Sequence, residues 1–168
     1  MDGDLTDEER QEELWLEQET MKISFSVPGP CVAKARPRVF VNKKTGRAMA
    51  YTPTKTASFE NFVKLIAADV WPHPPMAGPI VMTLRVFKST PKGFSKKKVN
   101  QAENGDIRPI TKPDVDNFLK TCSDAMNNLV YRDDSQIVSV HVHKFYSALP
   151  RTEIEIEEID YGEPKELL

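Results

Sequence analysis

Lys112-Pro113-Asp114-Val115-Asp116-Asn117-Phe118-Leu119-Lys120 is the stretch on which the rest of the chain is organised, with its sequel Asp124 and the pair Asp133-Asp134. Two carboxylates stand one residue apart, and a lysine follows the second by four positions. Carboxylates crowded together repel one another. A chain that gathers several of them usually does so for a cation, and hard divalent ions such as Mg²⁺ prefer oxygen ligands. Phe118, Leu119, Cys122, Met126 and Leu129 recur at helical intervals and predict one apolar stripe. Pro113 bars helix just before it, and Asp116 is of the type that caps a helix N-terminus. Asp116, Lys120 and Asp124 then form a polar row on the other face, because residues four apart stack.

Working outward, Asn127 to Arg132 reads as the helix exit, and residues 136–145 alternate as a strand. If that strand returns beside the helix start, Asp133 or Asp134 meets Asp114 and Asp116. Each piece has an ordinary reading: Asp116 as a cap, Asp133-Asp134 as a turn, Lys120 with its acids as a solvated ion-pair ladder. The ordered combination favours a cation site. A calcium-binding EF-hand loop is excluded, since Phe118 and Leu119 occupy positions that need an oxygen ligand and a glycine.

These residues also resemble a family. Residues 112–120, Asp124-Ala125-Met126 and Tyr131-Arg132-Asp133-Asp134-Ser135-Gln136-Ile137-Val138 are similar to the signature of the RusA-type Holliday-junction resolvases, small endodeoxyribonucleases mostly borne by phages or prophages. A looser likeness extends to Lys34-Ala35-Arg36-Pro37-Arg38, Tyr51-Thr52-Pro53 and the run Pro91 to Lys98. The resemblance implies an α+β fold, with helices packed on one mixed, mainly antiparallel sheet. It implies a homodimer that resolves four-way junctions by paired symmetric nicks, in DNA recombination and repair. Asp114, Asp116 and Asp134 would be the essential set holding Mg²⁺ (or Mn²⁺), with Asp133 as the substitute for Asp134. Lys120 would stabilise charge in the transition state, and Asp124 would support Lys120. A two-fold protein suits a substrate cut at two symmetry-related positions. The alternatives are a metal-dependent nuclease directed to flaps or nicks, and a non-catalytic junction-binding module.

The chain's 168 residues fit one domain. It contains no bilayer-length apolar run and no signal-peptide pattern, and Cys31 and Cys122 make neither a disulfide framework nor a zinc site. A reducing, cytoplasmic setting is expected. The net charge of −2 conceals a partition. Residues 1–20 carry nine acidic groups against one basic, and residues 151–168 carry seven against two. The body between them carries twenty basic groups against nine acidic, as suits a polyanion such as DNA. Residues 1–20 read as an acidic appendage, helical or without fixed structure; residues 21–158 as the nuclease domain; residues 159–168 as an acidic tail.

Along the body, Lys22 to Val27 alternates as a first strand, with Ile23, Phe25 and Val27 on one side. Lys34, Arg36 and Arg38 would share one face of an extended segment and form a basic comb for phosphates. Residues 42–47 make a hairpin turn. A helix opens near Pro53, with Phe59, Phe62, Val63, Ile66 and Val70 as its core stripe, and breaks at Trp71-Pro72. Residues 80–87 are a strand. Residues 88–112 carry seven basic groups against two acidic and read as a loop, with Lys96, Lys97 and Lys98 gripping DNA and Phe94 stacking on bases. His141 and His143 share a strand face without a third ligand nearby, which argues against a transition-metal site. Residues 151–157 form a last strand, expected to pair with 136–145 as an antiparallel hairpin.

Overall fold

The structure, a computed structural model, describes residues 21–36 and 38–159; the acidic appendage and the tail beyond Ile159 lie outside the described residues. Among the described residues six strands and three helices follow one another: β1 (Lys22–Pro28), β2 (Arg38–Val41), β3 (Ala48–Tyr51), α1 (Thr54–Val70), β4 (Ile80–Ser89), α2 (Lys96–Glu103), α3 (Val115–Met126), β5 (Ile137–Ser147) and β6 (Arg151–Glu158). A single turn of 3₁₀ helix, Asp134–Gln136, leads into β5. The main sheet has the order β1-β6-β4-β5. β6 runs antiparallel to both β1 and β4, and β5 runs parallel to β4. β2 and β3 form a separate antiparallel ribbon. This is the expected single α+β domain with a mixed sheet.

The alternation read in the sequence appears directly as burial. Ile23, Phe25 and Val27 of β1, Ile80, Met82, Leu84 and Val86 of β4, and Ile154 and Ile156 of β6 turn to one face of the sheet. α1 and α3 cover that face and pack against each other. Each such aliphatic side chain removed from water contributes about 1.5–3 kcal/mol. No helix among the described residues is long and apolar enough to cross a membrane.

Four expectations are corrected. β5 and β6 do not form a hairpin, because β4 lies between them. The inner row of β4 is 0 % exposed, which requires a partner on each side, so the short 148–150 turn steps over the end of β4 instead of folding β6 back onto β5. Thr90 N–H donates to the Ser147 carbonyl at 3.2 Å and Gly29 N–H to the Pro150 carbonyl at 2.9 Å, which ties that crossing down. In α1, Phe62 and Val70 face solvent, and Thr56 and Ala67 take buried positions beside Phe59 and Val63. The stretch 88–112 is not all loop: α2 occupies its middle, capped by Ser95, whose hydroxyl accepts from Lys98 N–H at 3.4 Å. Finally, α3 stops at Met126; Asn128 takes a positive φ of 58°, and Leu129 reaches the core from the turn instead of from the helix.

Cys122 is buried in the core, as its place on the stripe suggested. Its thiol meets that of Cys31, and both are free. The contact with Cys122 draws the Cys31 thiol below its ordinary pKa, while that same contact and burial push Cys122 up.

Candidate active site

α3 begins where its sequence directs. Asp114 takes the N-cap backbone position (φ −76°, ψ 157°), two residues earlier than a cap at Asp116 would give, and its carboxylate makes no capping hydrogen bond. Asp116 lies in the first turn. Neither acid is spent on the helix end, and both are exposed. Their charges are favoured there by the helix dipole.

The second acidic pair is returned to α3 by buried contacts. The Tyr131 hydroxyl, fully buried, donates to the Ser123 carbonyl on α3 at 2.8 Å. Burial, with the nearby charge of Asp134, pushes that phenol far above its usual range, so it stays a donor. Met76 N–H donates to the Val130 carbonyl at 2.8 Å and Arg132 N–H to the Met76 carbonyl at 3.3 Å. The Gln136 amide donates to the carbonyls of Met76 (3.1 Å) and Gly78 (2.8 Å). The pair divides its labour at this point. Asp133 caps the 3₁₀ turn, accepting from Ser135 N–H at 2.9 Å in a reciprocal box with Gln136, and hydrogen bonding from the Ser135 side chain, then from its N–H, lowers its pKa. Asp134 turns instead to α3.

A cleft of about 580 Å³ results. Asp116, Asn117, Leu119, Lys120 and Ser123 form its α3 wall; Asp134, Ile137 and Val140 face them; Lys34, Ala35 and Arg36 form the lip. Lys34 N–H is fastened to the Asn117 carbonyl at 2.9 Å, which lays the lip along the helix.

A chain of alternating charge runs through the cleft. Lys120 Nζ lies 3.1 Å from Asp134 and 2.9 Å from Asp124, the latter one helical turn on. Asp124 also receives Lys34 Nζ at 2.8 Å, and Lys34 is paired in turn with Glu60 of α1. The hydrogen bonds to Asp124 and Asp134 raise the Lys120 pKa, so its ammonium stays charged throughout the working range and acts as a fixed positive charge, not a base. Burial pushes Asp124 up, but its bonds to Lys34 and Lys120 outweigh this and leave it lowered. Burial likewise works against the charge on Lys34, and its two carboxylates more than restore it.

The cleft therefore unites Asp116, Lys120 and Asp134 with Lys34 and Arg36. Asp114 is not among its lining residues and stands exposed at the helix mouth. Among the described residues no three or more His, Cys, Asp or Glu side chains are grouped closely enough to hold a metal by themselves. Two carboxylates facing one cleft nonetheless fit a Mg²⁺-type ion, which is often held by one or two carboxylates with substrate phosphates completing its shell. Arg36 is exposed on the lip of the cleft, and Arg38 opens β2. Lys96, Lys97 and Lys98 are exposed in the first turn of α2. Phe94 packs edge-on against Tyr146, ring centroids 5.7 Å apart. His141 and His143 are exposed on β5.

Several participants had no clear signal in the sequence. Glu60 is a polar position on α1 whose partner lies far back along the chain. Lys88 and Lys144 sit on separate strands. Lys88 Nζ donates to the Lys112 carbonyl (2.9 Å) and the Thr111 hydroxyl (3.3 Å), and Lys144 Nζ to the carbonyls of Thr111 (3.1 Å) and Pro113 (3.2 Å). Together they hold the loop that delivers Asp114. Tyr131 was within the quoted motif, but its role as an anchor appears only in the fold.

A small α+β domain with paired acids and a charged lysine in one cleft, on an otherwise basic body, belongs to the class of nucleic-acid-cutting hydrolases. The match is specific: residues 28–157 fit the family described as endodeoxyribonuclease RusA, and the chain belongs to that family. It is also 43 % identical over 139 residues to the uncharacterized protein YqaN of Bacillus subtilis (strain 168), covering 82 % of this chain and 96 % of that protein.

Proposed function

We propose that this endodeoxyribonuclease resolves four-way DNA junctions, acting as a homodimer that places two symmetric nicks in the service of recombination and repair. The observation that carries the reading is the shared cleft: Asp116 and Asp134, far apart in sequence, face one space with Lys120 between its walls. Asp116 and Asp134 would hold Mg²⁺, or Mn²⁺ in its place, with Asp114 at the mouth as the third acid. Such an ion supplies activation of water and stabilisation of the leaving 3′ oxygen. Lys120 contributes a permanent positive charge beside the scissile phosphate, where charge develops in the transition state. Asp124 holds Lys120 upright. Arg36 on the lip and Lys96, Lys97 and Lys98 on α2 contact backbone phosphates. Phe94 is a base-stacking side chain if it leaves Tyr146.

The test is a labelled mobile four-way junction incubated with the protein in Mg²⁺, with nicks mapped on all four strands. Paired symmetric nicks are expected. Faster cutting of flap or nicked duplexes would favour the flap-directed alternative, and shape-selective binding without nicks would favour a binding module. Asp116→Asn is expected to abolish cleavage and leave junction binding intact or tighter, because an amide holds Mg²⁺ poorly but does not repel phosphate. Retained cleavage by the purified variant refutes the role of Asp116.

A further inference from the structure

Lys88 and Lys144 end neighbouring parallel strands on the face that α3 covers. Val86 pairs with Lys144 and Lys88 with Tyr146, so the two lysines are diagonal neighbours. Burial and the charge of Lys144 both depress the pKa of Lys88. Among the described residues neither lysine has a carboxylate within ion-pairing distance. This differs from Lys34, Lys120 and Lys22, each of which is matched by acids. Instead, each ammonium spends two of its three donors on the loop before Asp114. One donor on each remains, and two like charges are left unneutralised beside the N-terminus of α3, whose dipole adds to the positive potential. Lys112 stands exposed in the same loop.

We infer that Lys88 and Lys144 form a phosphate-binding site for the nucleic-acid backbone, separate from the acidic cleft, which seats the strand flanking the cut and steadies the loop bearing Asp114. A phosphate offers acceptor oxygens to both remaining donors and relieves the repulsion between the two ammoniums. The inference shares with the proposed function only the premise that the ligand is nucleic acid. It concerns a phosphate contact outside the cleft and does not depend on the shape of the DNA or on the chemistry of cutting.

The experiment measures equilibrium binding of a labelled four-way junction and of a plain duplex, without divalent ions, across a salt series. Lys88→Gln keeps an amide donor for the loop but removes the charge. It is expected to lower the slope of log affinity against log salt by roughly 0.9, the value for one lost phosphate contact, or about 3.5-fold in affinity change between roughly 50 and 200 mM salt. Lys144→Gln is expected to do the same, and Lys88→Arg to keep the parental slope. Lys22→Gln, which removes an equal charge already paired with Glu155 on the opposite face of the sheet, is the control and should leave the slope unchanged. An unchanged slope in both glutamine variants, with melting temperatures showing them folded, overturns the site. So does an equal fall in the Lys22 control. If either glutamine variant fails to fold, the other decides. A lowered slope on both DNAs without any junction cleavage by the parent would uphold the phosphate site while defeating the junction-resolving reading.

Discussion

Asp124→Asn isolates the part of the charge chain that supports Lys120. The carboxylate accepts from Lys34 at 2.8 Å and from Lys120 at 2.9 Å, and its side chain is 22 % exposed. An amide oxygen can still accept, so the loss is the difference between a charge-assisted and a neutral bond, about 1 kcal/mol for each. The Lys34 bond counts in full. The Lys120 side chain is 56 % exposed, so screening by water reduces its share to about half. The sum is about 1.5 kcal/mol, or a fall in Tm of roughly 3–6 °C for a domain of this size. The sign of the pH dependence follows from the lowered pKa of Asp124. Its contribution is fully present above the ordinary value of 3.8 and is lost only as pH falls through the lower folded-state value. Thermal unfolding of both proteins, followed by circular dichroism from pH 7 down to pH 3, should show a full gap at pH 7 and at pH 5 that closes only below 3.8. A gap already gone by pH 5, or one constant down to pH 3, refutes the assignment of the ion pairs. In the cleavage assay the same variant should lose turnover more than DNA affinity, because Lys120 keeps its charge but loses one of the two carboxylates that hold it.

The acidic pair should separate by substitution. Asp134→Asn is expected to remove cleavage measured on a four-way junction, whereas Asp133→Asn, which touches only the cap of the 3₁₀ turn, should retain most of it; equal loss in both would refute the division. Tyr131→Phe deletes the 2.8 Å bond to the Ser123 carbonyl and should cost about 1–2 kcal/mol in urea unfolding, with a larger effect on cleavage rate than on binding as the Asp134 segment loosens. Unchanged stability would mean that this hydroxyl does not anchor the segment.

Alternation and helical spacing made most elements legible, because burial on one face leaves a period in the sequence. The strands with Ile23, Phe25 and Val27, and with Ile80, Met82, Leu84 and Val86, were of this kind. Strand order was not legible. The short 148–150 link permits a hairpin, and only the full burial of the β4 row shows that β4 needed both neighbours. Phe62 misled for a related reason: its spacing suits the α1 stripe, but the smaller Ala67 and Thr56 lie where α1 meets the core and leave Phe62 outside. In the cleft, Asp116, Lys120 and Asp124 could be read from spacing along one helix. That Asp134 and not Asp133 faces them could not, because the choice depends on a capping box and on Tyr131 reaching Ser123. Glu60 was invisible, since its partner Lys34 lies on another element.

Where a chain departs from good local practice, function is the usual reason. Here the departures are concentrated in the stretch leading into α3 and on the strands beside it. Three lysines occupy the first turn of α2, where the helix dipole disfavours positive charge. Asp114 holds the N-cap position of α3 without making the capping bond that would repay it. Among the described residues Lys88 and Lys144 stand together with no acid paired to either. The chain is capable of orderly solutions elsewhere: Ser95 caps α2, Asp133 and Gln136 close a capping box, and Lys22 is matched by Glu155 and Glu157. The unmatched groups are therefore better explained by a ligand than by a poorly adapted fold. In the proposed reading a polyanion would supply the missing counter-charge for the lysines, and a cation would supply it for Asp114 and Asp116. DNA brought with a divalent ion would satisfy both groups at once, whereas neither an acidic peptide nor a metal alone would do so.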